Sequence, residues 1–85
     1  MDLKEVMSRK SLTPDEKLLL ALETSDAQGG VNPVLIALPL GISERSCNNI
    51  IKLLAQANFV KKMENGNVFI TAHGKSLCTI LMSKN

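Results

Sequence analysis

Residues 36–43 read Ile36-Ala37-Leu38-Pro39-Leu40-Gly41-Ile42-Ser43. Pro39 has no backbone donor, so a helix running into this stretch stops or distorts there. Leu40-Gly41-Ile42 predicts a tight turn, and Ser43 predicts the cap of another helix. Just upstream, Asn32-Pro33 pairs a capping residue with a proline at the first helical position, so a short helix is expected over 34–38. Val31, before it, is expected as an isolated strand residue. Downstream, the spacing of Cys47, Ile50, Ile51, Leu53, Leu54 and Ala57 predicts a helix from Glu44 to about Ala57 with these six on its buried side. Asn58 suits a left-handed exit. Two helices joined by a tight turn are the centre of the expected fold.

The flanks add a helix on one side and a hairpin and a helix on the other. Thr13-Pro14-Asp15-Glu16 is a capping box with proline at the first turn, followed by Leu18, Leu19 and Leu22 at helical spacing to about Glu23. Residues 25–30 read as a loop ending in Gly29-Gly30. After Asn58 the period becomes that of strands. Phe59–Glu64 and Asn67–Thr71 flank Asn65-Gly66, a strong hairpin signal. Thr71 predicts the cap of a last helix over about 72–82. Residues 3–10 fit a short first helix capped by Asp2. The expected class is α+β, mainly α, in one domain of 85 residues: an N-terminal extension over 1–12, a core with hairpin over 13–71 and a C-terminal helix over 72–85.

Several function classes fall away on composition. The longest apolar run, Val34–Leu40, is seven residues and includes a proline, whereas a membrane span needs about twenty. Residues 1–10 mix Asp2, Lys4, Glu5, Arg9 and Lys10 without an apolar core, which is unlike a secretory leader. A cytoplasmic protein with reduced thiols is expected. Two cysteines and one histidine do not make a zinc site. One histidine, no conspicuous acid pair and no glycine-rich phosphate loop leave catalysis without players, so no enzyme and no cofactor is expected. With no Trp, no Tyr and only Phe59 and Phe69, binding by stacking of bases is disfavoured.

Charge is unevenly placed within a net +2. Residues 1–32 carry four basic and six acidic side chains; residues 33–85 carry six basic ones (Arg45, Lys52, Lys61, Lys62, Lys75 and Lys84) against Glu44 and Glu64. A polyanion is therefore expected to meet the rear half. On the 44–57 helix, Arg45, Asn48, Asn49, Lys52 and Gln56 fall opposite the apolar side, with no acid among them. These are the side-chain types that read base edges in the major groove. Ser43 and Ser46 near the helix start suit phosphate contact beside free backbone N–H groups.

Taken in order, Ile36–Ser43, the apolar positions Cys47, Ile51 and Leu54, the exit Ala57-Asn58-Phe59-Val60 and the segment Ile70-Thr71-Ala72-His73-Gly74 resemble the winged helix-turn-helix domain of small bacterial and archaeal transcriptional regulators. The last segment is similar to that family's Leu-Thr-x-x-Gly signature at the end of the wing. The resemblance covers about residues 13–82. It implies a three-helix core, a β-hairpin wing and an additional C-terminal helix. It also implies sequence-specific binding of double-stranded DNA, with the 44–57 helix in the major groove and the wing, residues 59–71, along the backbone. The implied DNA-binding residues are Ser43, Arg45, Ser46, Asn48, Asn49, Lys52, Gln56, Lys61, Lys62 and Lys75.

Two expectations complete the reading. On the last helix Leu77, Ile80 and Leu81 form one apolar stripe, and Cys78 and Met82 widen it beyond what one core covers. Cys78 and Met82 are thus expected at a homodimer interface, unless residues 1–10 fold back over them. The wing tip Glu64-Asn65-Gly66-Asn67 carries no cation, which favours an alternative function as a protein–protein adaptor that does not bind DNA.

Overall fold

A computed structural model describes residues 12–25 and 30–83. Among these residues, four helices and one two-stranded antiparallel hairpin form a small α+β domain, mainly helical. The helix expected over residues 3–10 lies outside the described residues.

Helix α1 (Pro14–Thr24) starts on the capping box read in the sequence: the Thr13 N–H donates to Glu16 Oε1 at 2.9 Å and the Glu16 N–H donates to Thr13 Oγ1 at 3.3 Å. Five consecutive residues, Leu18 to Leu22, are buried. A helix buried on all sides must be covered on all sides, and α2, the hairpin and α4 all pack on α1. This is why Leu20 and Ala21, outside the expected stripe, are in the core.

Helix α2 (Pro33–Ala37) is capped by Asn32, whose side chain accepts from the Val34 N–H at 3.1 Å. It tightens into a 3₁₀ turn at Leu38–Leu40, where Pro39 withholds its donor. Gly41 follows with φ 78°, a left-handed conformation that turns the chain at little cost only because glycine lacks a Cβ. Ser43 caps helix α3 (Glu44–Gln56) by accepting from the Ser46 N–H at 3.2 Å.

The exit of α3 is a Schellman motif. Asn58 is left-handed with φ 65°, its N–H donates to the Ala55 carbonyl at 3.1 Å, and the Phe59 N–H donates to the Leu54 carbonyl at 2.9 Å. Strands β1 (Val60–Lys62) and β2 (Val68–Ile70) pair Val60 with Ile70, Lys61 with Phe69 and Lys62 with Val68. The strands are shorter than expected because the turn takes more residues. The Gly66 N–H donates to the Met63 carbonyl and the Met63 N–H to the Asn67 carbonyl, and only Gly66 is left-handed, so the loop has three residues, Glu64 to Gly66. Val31 joins as a single bridge to Val68, with both hydrogen bonds at 2.8 Å.

Helix α4 (Ala72–Ser83) packs on α1 and β2. Its buried line is Gly74, Cys78 and Leu81, while Ile80 is 53% exposed. Both residues expected at a dimer interface lie at least partly inside the described fold. Cys78 is in the core of the single chain, and Met82 is half-buried and packed against that core. Close approach at Gly74 turns this side of the helix inward and rotates Ile80 to the surface.

Both cysteines are free and buried. Burial pushes the Cys47 thiol up, with Glu44 adding to the shift. Burial also pushes the Cys78 thiol up strongly, helped by the Glu23 carboxylate. The unfolded chain therefore ionises these thiols first, and stability is present below the ordinary value of 9.0 and lost as pH rises above it. The urea midpoint is expected to fall as the pH passes that value, and thiol reagents are expected to label neither cysteine in the native protein. Immediate labelling of folded protein would contradict this burial.

Candidate nucleic-acid interface

Helix α3 buries Cys47, Ile51 and Leu54, one turn apart. At about 100° per residue the direction opposite these three is occupied by Asn49 and Gln56, both within about 15° of it, then Arg45 at about 25°. Lys52 and Leu53 follow at about 50° on opposite sides of it, and Asn48 lies nearly a right angle away, on the flank beyond Lys52. All six are exposed. Leu53, expected in the core, is 59% exposed, and Ala57 is exposed as well. The buried sector of α3 is narrower than its apolar sector: among the described elements, α2 and β1 are the ones that pack on it closely.

No acidic side chain shares the outward sector. Glu44 sits on the other side of the helix, close enough to Cys47 to disfavour its thiolate. The outward face is thus two cations, Arg45 and Lys52, among amide side chains. Ser43 and Ser46 are exposed at the helix start, beside the Glu44 and Arg45 N–H groups, which have no carbonyl to pair with inside the helix.

The hairpin follows α3 directly, and β1 packs on it. Lys61 and Lys62 are both exposed. Lys61 pairs with half-buried Phe69 and Lys62 with buried Val68, so the two lysines project to opposite faces of the hairpin. Glu64, Asn65 and Gly66 at the tip are exposed. Lys75 is exposed on the first turn of α4, on the flank away from His73. The His73 ring stacks on Phe59, with centroids 4.7 Å apart and planes 11° apart.

The structure therefore gathers Arg45, Asn49, Lys52 and Gln56 on one face. It places Asn48 beside them, Ser43 and Ser46 at one end, and Lys61, Lys62 and Lys75 on separate elements. No protein-family model, curated protein or solved structure matches this chain.

What holds α3 and the hairpin in register is a clasp around Thr71. The Thr71 hydroxyl lies 2.5 Å from the Asn58 carbonyl and 3.1 Å from that of Phe59, and it accepts from the Gly74 N–H at 3.0 Å. The Thr71 N–H donates to the Phe59 carbonyl at 3.1 Å. One side chain thus caps α4 and ties its start to the exit of α3. Gly74 has to be glycine: a Cβ there would overlap the Phe59 carbonyl oxygen and come within 2.7 Å of Ile70 Cγ1. The Thr-x-x-Gly spacing in the sequence was the signal for this clasp; its physical content is visible only once Asn58 and Phe59 are placed against it. Thr71→Val keeps the shape and removes the hydroxyl. It is expected to cost about 1–2 kcal/mol, read from the urea midpoint.

Among the described residues no group of three or more His, Cys, Asp or Glu is placed to hold a metal ion, and no helix is long and apolar enough to cross a membrane.

Proposed function

We propose that this chain is a winged helix-turn-helix domain that binds double-stranded DNA sequence-specifically and acts as a small transcriptional regulator. Helix α3 enters the major groove, and the hairpin lies along the backbone as the wing. The observation that carries the reading is the outward face of α3: Arg45, Asn49, Lys52 and Gln56, all exposed and without an acid among them. Arg and Lys suit guanine or phosphate, and Asn and Gln suit adenine. Asn48 and Ser46 reach the same groove from the flanks, while Ser43, Lys61, Lys62 and Lys75 serve as phosphate contacts. A second copy meeting this one through α4 would rest on Ile80, exposed on that helix, and two copies would present two recognition helices to a palindromic site.

A specific observation favours the second reading, a protein–protein adaptor. Leu35, Leu38 and Leu53 are exposed, at 66%, 57% and 59%, and the hairpin tip has no cation. Selection of bound duplexes from a random DNA pool separates the two readings. Enrichment of a sequence motif supports DNA recognition, and no enrichment leaves the adaptor.

On an enriched site, Asn49→Ala is expected to cost about 1–3 kcal/mol and to cost little on random duplex. Lys62→Ala is expected to weaken both alike. Equal losses on the two DNAs for the Asn49 variant would show that α3 does not read bases.

A further inference from the structure

We propose that Leu53 reads thymine methyl groups and so helps to set sequence specificity, an inference that rests on the DNA-binding reading of α3. Leu53 is 59% exposed on a helix that has a buried side available to apolar residues. It follows Asn49 by four positions and precedes Gln56 by three, so the three side chains are neighbours on the helix surface. Its other neighbours are Ile50 and Ala57, so an exposed apolar group borders the polar outward face at Asn49 and Gln56.

The major-groove edge of duplex DNA carries one apolar feature, the C5-methyl of thymine, beside the donors and acceptors that Asn and Gln match. Asn49 and Gln56 suit adenine, and a leucine next to them suits the thymine of the same or the adjoining pair. Charge complementarity favours DNA over an apolar protein surface as the occupant. Arg45 and Lys52 lie on the far side of Asn49 and Gln56 from Leu53 within the outward sector, so an apolar partner broad enough to cover that sector would strip water from these cations without pairing them. A phosphate backbone meets them instead.

The test uses the full chain and its own selected duplexes, copied once with thymine and once with uracil, which lacks only the methyl. Wild-type protein is expected to bind the thymine copies about fourfold more tightly for each methyl buried. Leu53→Ala is expected to bind both copies equally, and Leu53→Met to retain the preference; circular dichroism checks that each variant is folded. Equal binding of both copies by the wild type overturns the proposal and leaves DNA recognition standing. An unchanged thymine preference in Leu53→Ala also overturns it, because another group then reads the methyl. Failure of the pool to enrich at all overturns DNA recognition together with this proposal.

Discussion

Gly74→Ala is expected to lower the thermal midpoint by about 12–24 °C, the equivalent of about 3 kcal/mol in a domain of this size. The sign is informative. Alanine for glycine inside a helix ordinarily stabilises by up to about 1 kcal/mol. Here the added methyl overlaps the Phe59 carbonyl oxygen and presses on Ile70 Cγ1 at 2.7 Å. Neither obstacle moves freely. The Phe59 carbonyl accepts from the Thr71 N–H, and the Phe59 N–H closes the end of α3 on Leu54. Ile70 is buried and paired with Val60. Relief requires α4 to lift away from the hairpin, which uncovers Cys78 and Leu81. A thermal melt followed by circular dichroism measures the effect, and a midpoint within a few degrees of the wild type would show that this contact yields readily.

DNA affinity is expected to fall roughly 60- to 1,000-fold between 50 and 200 mM salt. Five exposed cations would meet phosphate in the proposed complex: Arg45 and Lys52 on α3, Lys61 and Lys62 on the hairpin, and Lys75 on α4. The opposed directions of Lys61 and Lys62 limit their joint use, so three to five contacts per chain are expected, with a log–log slope of about −3 to −5. Titration of a labelled duplex at several salt concentrations gives that slope. A flat response would remove phosphate contact from the mechanism, and absence of binding at the lowest salt would remove DNA altogether.

Local chemistry was legible from the sequence, and side-chain facing was less so. Thr13, Asn32 and Ser43 cap the helices they were expected to cap, because a cap involves groups within three residues of one another. Pro39 ends α2 for an equally local reason, and Asn58 takes the left-handed conformation expected of it. The turn at Asn65-Gly66 was located, but its size was not. A two-residue turn needs its first residue left-handed, and type I′ needs both; here Asn65 is not left-handed and Gly66 is.

Burial was misread where an apolar sector is wider than the surface that covers it. On α3 both Leu53 and Leu54 lie within the apolar half, and packing by α2 and β1 buries only Leu54. On α4 the apolar residues leave the buried direction open, and the close contact at Gly74 selects Cys78 and Leu81 over Ile80. That choice depends on contacts between residues far apart in the chain. The polar face of α3 was legible because it is defined by where apolar residues are not; its centre is Asn49 and Gln56, with Asn48 on the flank.

The clasp at Thr71 also bears on how the chain tolerates change. It closes residues 58–71 into a loop whose two ends are pinned to each other and to the start of α4, leaving Glu64, Asn65 and Gly66 outside the pinned region. Residues added at that tip lengthen a loop that is already closed, and doubling a loop costs only about 0.6 kcal/mol. The hairpin end is thus a place where length and charge can vary while α3 keeps its seat. Lysine or arginine inserted there would change the charge of the hairpin end without disturbing the fold that presents it.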